Sequence, residues 1–391
     1  MARYFDAYRI DNVLGFFRIW EIPIHSVTGL LGQFQPSRAL TLDEIHGYGL
    51  WLDEDFMTQP FVADWVLDRF FPQQAGLVKE RFLTHAHDDI WRMKPEFDTQ
   101  RKVEEWMESQ EAGKLPLDGE QRMALKKGLF RLISNVLFVR DHKNPALFHP
   151  RIAVQLDPAY ETLWQHDKDN FNRLYNDYFY HRNNQFWYEE AMKKLPLLMR
   201  ATRMLPCAED LGMIPECVKW ALDELQILSL EIQRMPKEYG VSFGHTEHYP
   251  YLSVATLATH DMPPLRLWWH QLHGNDLAQR FYRDVLKQNG NPPAELSAEE
   301  CRINVMQHLE SLSMLCLLAL QDWLAISDEL KAANVADEQI NVPSNPNQYW
   351  RYRMHLTLEE LICHTDYNEQ VRHMIVRSGR GLPEHHTDSW T

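Results

Sequence analysis

Short apolar runs that end in charged residues recur along this 391-residue chain, separated by longer stretches with helical spacing. Tyr4 to Ile10 has the aromatic and aliphatic weight of a buried strand, yet it carries Arg9 and meets Asp11 at its end. Gly15, Phe16, Phe17 and Trp20 follow at once, which suits a loop floor that lies flat against a ring. Met204 to Ala208 is a second apolar run, ending in Glu209 and Asp210. Pro215 then fits the first turn of a helix with the stripe Val218, Leu222 and Leu225. Ile227 to Ile232 reads as a third strand, ending near Arg234, and Val254 to Ala258 as a fourth, ending in Thr259, His260 and Asp261. Ser297 and Glu300 predict a capping box for an apolar helix running through Leu312, and Leu317 to Leu320 reads as a last strand ending in Gln321 and Asp322.

Between the first and second strands the pattern changes. His25 to Leu50 is loop-like, punctuated by Gly29, Gly32, Pro36, Gly47 and Gly49. Leu125, Leu129, Leu132, Ile133, Val136 and Leu137 recur at helical spacing, with an extended continuation expected near Val136 to Arg140, and Lys114 to Gly119 forms a turn before them. Phe171, Leu174, Tyr175 and Tyr178, then Phe186 and Trp187, make a further helical stripe that Pro196 breaks. The division this predicts is a first core strand and loop over 1–59, a mainly helical insertion over 60–200, the remaining strands and helices over 201–381, and a frayed tail over 382–391. Strands alternating with helices imply parallel βαβ units. The polar residues collect where strands end, the place where a (β/α)8 barrel or an open α/β sheet carries its site.

A net charge of −15 repels nucleic acid and anionic membranes, and neither is expected as a partner. The start of the chain lacks a basic segment leading into an apolar one, and no run approaches the roughly 20 apolar residues of a membrane span. Cys207, Cys217, Cys301, Cys316 and Cys363 are scattered without CxxC spacing, so neither a zinc site nor a redox pair is expected, and a cytoplasmic, reducing location follows. His85, His87, Asp88 and Asp89 stand together but without a second ligand group; they are read as a solvated helix start, His245 and His248 as surface loop residues, and Arg377 with Arg380 as a solvated helix end. No phosphate loop is present, and no metal or cofactor is expected. Thirteen tryptophans fill cores or stack on sugar faces.

Three carboxylates, Asp11, Glu209 and Asp261, stand at the ends of three separate candidate strands, so only a fold that aligns strand ends brings them together. Two carboxylates with unequal surroundings are what glycosidic bond cleavage requires, one as nucleophile and one as acid and then base. Arg9, two residues before Asp11, shares its side of the strand and is placed to keep that carboxylate ionised. Spacing alone leaves the alternative open, since any acidic chain carries Asp and Glu at strand ends.

The segments FDAYRIDNVLGFFRIWEIP, CAEDLGMIPECV, LSLEIQRMP, LATHDMPPLRLWW and INVPSNPNQYWRYRMHL, in this order, resemble the 4-α-glucanotransferases (amylomaltases or disproportionating enzymes), relatives of the α-amylases. The resemblance is to the long type, which has an insertion between the nucleophile and acid/base strands. It covers nearly the whole chain and is weakest between Phe70 and Gly128. It implies a (β/α)8 barrel with Asp11 as nucleophile, Glu209 as acid/base and Asp261 as the transition-state-stabilising aspartate. Arg9 matches the arginine that orients the nucleophile, His260 a hydrogen-bond partner of sugar hydroxyls, and Asn341 a loop residue near the sugar sites; Asn12 and Trp20 flank the nucleophile as further substrate contacts. The implied substrates are maltose, malto-oligosaccharides or larger α-glucans, with α-glucan hydrolysis, or glucan binding without catalysis, as alternatives.

Two departures qualify the resemblance. The family has His directly after the nucleophile, where this chain has Asn12, which keeps a donor and loses the imidazole. A family barrel also has strands before the nucleophile strand, whereas this chain opens on it, so an incomplete barrel of about five strands, internal to a longer protein, is expected.

Overall fold

The opening strand is Ala7–Ile10 (β1), and it pairs in parallel with Leu205–Ala208 (β2), Arg9 opposite Cys207 and Ile10 opposite Ala208. This is a computed structural model that describes residues 2–381; the tail expected over 382–391 lies outside them. The chain divides into two compact units. One comprises Met1–Val13, Pro196–Ile214 and Trp220–Thr391, the other Leu14–Leu195 and Pro215–Lys219.

In the first unit the sheet extends through Ser229–Ile232 (β3), Ser253–Thr256 (β4) and Leu315–Cys316 (β5), every pairing parallel. A bridge between Cys207 and Leu228 joins β2 to β3, so the strand order β1-β2-β3-β4-β5 follows the chain. Among the described residues β1 and β5 each pair on one side only. The strands are short and apolar, and Leu228, Leu230, Ile232 and Val254 form a buried cluster with Leu205, Cys207 and Leu315 packed on it. A second cluster gathers Leu257, Leu265, Trp269, Phe281, Cys301 and Val305.

The predicted capping box is present. Glu300 N–H donates to Ser297 Oγ at 3.2 Å, Ser297 N–H returns to Glu300 Oε2 at 2.7 Å, and the helix is Ala298–Leu309. The last strand differs from expectation. It is Leu315–Cys316, and Leu320–Leu324 is a helix that contains Gln321 and Asp322, because an apolar run this short fits either form. The Arg380 reading is corrected as well: its guanidinium donates to the carbonyls of Leu309, Ser311, Ser313 and Met314 at 2.6 to 3.3 Å, clasping the end of Ala298–Leu309 and the segment that leads from it to β5 instead of meeting solvent.

The second unit is mainly helical, with Gly119–Ile133 and Gln165–Tyr180 its longest helices, beside three two-stranded antiparallel pieces. Gly119–Ile133 hands over to the strand Phe138–Arg140, as its pattern predicts. Two readings change. Leu42–Gly47 is a helix with a Thr41/Glu44 capping box inside the expected loop, and His85 and His87 lie on the strand Leu83–His87, which turns through Asp88 into Ile90–Met93.

Candidate active site

Parallel pairing carries Asp11 and Glu209 to the same end of the sheet, because each follows directly on the paired residues Ile10 and Ala208. The backbone extends that register by one step on each side: Glu209 N–H donates to the Ile10 carbonyl at 2.9 Å and Val13 N–H to the Glu209 carbonyl at 3.0 Å. Neighbouring strands lie about 4.8 Å apart, the spacing on which two carboxyls can serve one bond. Arg9 Nη2 stands 2.9 Å from Asp11 Oδ1, an ion pair along one side of the strand, with the Asp11 side chain 84% exposed. Asn12 has a φ of 47°, the left-handed region that Asn and His tolerate better than most residues, and its N–H donates to Glu209 Oε2 at 2.7 Å.

Of the adjacent carboxylates Glu209 and Asp210, the second is committed to the sheet. Asp210 is buried, accepts from Leu230 N–H at 2.9 Å and from Lys237 Nζ at 2.7 Å, and burial raises its pKa despite the lysine. Glu209 is therefore the member left to act beyond the strand.

Asp261 stands on the loop after β4, within a turn in which Asp261 N–H donates to Thr259 Oγ1 at 3.3 Å and Met262 N–H to the Thr259 carbonyl at 3.1 Å. Asn341 Nδ2 donates to Asp261 Oδ1 at 2.7 Å, and His260 Nε2 lies 3.2 Å from Asp261 Oδ2. The expectation for Asn341 was proximity to sugar; its amide is bound to Asp261 itself. A residue the sequence reading passed over also belongs here: Trp350, 61% exposed, stands with its ring centroid 5.3 Å from that of His260. Its motif was visible, but nothing in the spacing joins it to His260.

A cleft of about 450 Å³ runs over the face of the sheet, lined by Tyr8 and Arg9 of β1, Leu230 of β3, Val254 of β4, His260, and Leu315 of β5. Arg9 and His260, the neighbours of Asp11 and Asp261, thus border one cleft. Trp20 lies in the other unit, on the strand Ile19–Glu21, where its indole N–H donates to the Gly29 carbonyl at 3.0 Å and its ring meets Phe34 edge-on. Gly32 is required there, since a Cβ would come within 2.3 Å of the indole nitrogen. Among the described residues no group of three or more His, Cys, Asp or Glu side chains is arranged to hold a metal ion.

A profile of the family described as 4-alpha-glucanotransferase (glycoside hydrolase 77) matches residues 1–358. The 4-alpha-glucanotransferase DPE2 of Oryza sativa subsp. japonica is 37% identical over 383 residues, which are 98% of this chain and 40% of that protein. The 4-alpha-glucanotransferase of Chlamydia pneumoniae is 30% identical over 217 residues, 54% of this chain and 39% of its own length. A solved amylomaltase from Streptococcus agalactiae, in complex with acarbose, aligns with a TM-score of 0.37 at 18% identity over 51% of this chain and 35% of its own. The chain thus spans about 40% of the length of the two relatives.

Proposed function

The chain belongs to the 4-alpha-glucanotransferase family, and we propose that it carries the catalytic carboxylates of a retaining transferase acting on α-1,4-glucans. The observation that carries this reading is the register of β1 on β2, which seats Asp11 beside Glu209 and bonds Asn12 N–H to the Glu209 carboxylate. Glu209 protonates the glycosidic oxygen as the C1–O bond breaks, and Asp11 attacks C1 from the other face to form a glucosyl ester. Glu209 then takes the proton of an acceptor 4-hydroxyl, which displaces Asp11 and restores the original configuration. Asp261, held by Asn341, supplies negative charge to the oxocarbenium-like transition state, and Trp350 offers a ring face for a sugar beside His260.

Five parallel strands in chain order, with α-helices in every connection except that from β3 to β4, where only the short 3-10 turn Thr246–His248 intervenes, support a (β/α)8 barrel of which the described residues supply one arc. The one-sided pairing of β1 and β5 favours a second reading, in which the chain binds glucan without turning it over. Incubation with maltotriose separates them. A ladder of longer oligosaccharides is the transferase result, glucose and maltose alone mean hydrolysis, and unchanged maltotriose that still binds the protein supports the second reading.

A further inference from the structure

The loop that carries Asp261 is gripped by a half-buried arginine and a buried aspartate, neither of which lines the cleft. Arg234, just past β3, donates from Nε and Nη2 to the Leu257 carbonyl at 3.2 and 2.8 Å, and from Nη2 to the Pro263 carbonyl at 2.9 Å. One guanidinium therefore spans the backbone on both sides of Thr259, His260 and Asp261. Asp322, on the helix Leu320–Leu324, takes the far end: its Oδ1 accepts from Leu265 N–H at 2.8 Å. Leu265 begins the helix Leu265–Leu272, whose cap position is Pro264, a residue with no side-chain acceptor, so Asp322 does from a distance what an Asp or Ser cap does locally.

We infer that Arg234 and Asp322 form a positioning cradle that fixes the Asp261 loop for the transition state; this rests on the reading of Asp261 as a catalytic residue. The chemistry of the two residues fits the task. A planar guanidinium holds two carbonyls through a rigid fork, whereas lysine offers one compact ammonium on a flexible stem. Burial lowers the Arg234 pKa to about 10, which leaves it charged near neutral pH. The Trp268 ring lies 4.8 Å from its central carbon and packs it in place. Asp322 is buried, and burial raises its carboxyl pKa against the opposing Leu265 N–H and the Arg234 charge; no ion pair within contact distance joins it to Arg234. A buried polar group is costly unless its bonds are made; every side-chain hydrogen bond that Arg234 and Asp322 make goes to this loop, while Arg234 Nη1 and Asp322 Oδ2 stand without a partner. A loop held only by exposed contacts would sample many positions; this one is tied at residues 257, 263 and 265.

The test compares Arg234→Met, Arg234→Lys and Asp322→Asn with the unaltered chain, reading amide hydrogen exchange and maltotriose turnover. Arg234→Met is expected to speed exchange of the 257–265 amides at least about tenfold while leaving the β4 amides unchanged. It lowers kcat with little change in KM, because the cleft walls that bind sugar remain. Arg234→Lys recovers part of both effects through one carbonyl. Asp322→Asn keeps the acceptor for Leu265 and so changes exchange less than Arg234→Met. Exchange at 257–265 that stays as in the unaltered chain, or that rises equally throughout the unit, overturns the cradle. Asp261→Asn separates the two ideas. If it turns over maltotriose at the full rate, the catalytic reading fails; if it is inactive while Arg234→Met leaves loop exchange unchanged, the cradle alone fails.

Discussion

The backbone N–H of Asn12 donates to Glu209 Oε2 at 2.7 Å, so the residue after the proposed nucleophile is bonded directly to the proposed acid. Because the tie is a main-chain donor on a left-handed residue, the side chain at this position matters less than its backbone. Asn12→His and Asn12→Gly are expected to keep maltotriose turnover within a few-fold of the unaltered chain. Asn12→Pro, which removes the N–H and cannot adopt a φ of 47°, loses at least about tenfold. Initial rates on maltotriose give the comparison.

Asn341 holds Asp261 by one hydrogen bond from its side-chain amide. Asn341→Ala is expected to lower kcat by about tenfold or more, the scale of one hydrogen bond to a charged group, with KM little changed. Asn341→Asp sets a second carboxylate against Asp261 and lowers kcat further. Steady-state kinetics of the pair check the order.

Arg380 satisfies four backbone carbonyls, one at the end of Ala298–Leu309 and three in the segment that leads from it to β5. Removing it leaves those acceptors unpaired, so Arg380→Ala is expected to cost about 2–4 kcal/mol, and Arg380→Lys less. Urea unfolding measures both.

His308 gives a pH dependence. It is fully buried, and burial holds its imidazole pKa down at about 4, with the Asn304 carbonyl opposing the shift and the Arg234 charge adding to it. In the unfolded chain the same group titrates near about 6.5. Between those values the unfolded state binds a proton that the folded state refuses. The contribution is thus fully present above about pH 6.5 and is lost as pH falls toward about 4, by up to about tenfold in the unfolding equilibrium per pH unit. Stability of His308→Gln, followed over that window by denaturant titration, is expected to fall less steeply than that of the unaltered chain.

The positions of Asp11, Glu209 and Asp261 at or just past strand ends were readable because each follows an apolar run, and a parallel sheet sets the ends of such runs at one edge. The capping box at Ser297 was readable because its signal is local. Leu42–Gly47 carries the same kind of signal in Thr41 and Glu44, but the surrounding glycines and proline pointed to a loop. The last strand was misplaced by two residues because Leu315–Cys316 is too short to show alternation, and Arg380 looked solvated because its four acceptors come from a helix end and the segment after it, about seventy residues earlier in the chain. The grip of Asn341 on Asp261 and of Arg234 on residues 257 and 263 is set by packing between distant segments, which no spacing reveals.

The central claim is that Asp11 is the nucleophile and Glu209 its acid/base partner. Glu209→Gln, given α-maltosyl fluoride, tests it most directly: the fluoride leaves without an acid, while the second step lacks its base, so the covalent intermediate accumulates. Mass spectrometry of the digested protein is predicted to find a maltosyl adduct on the peptide containing Asp11, absent from the double variant with Asp11→Asn. An adduct on another residue, or none, would contradict the account.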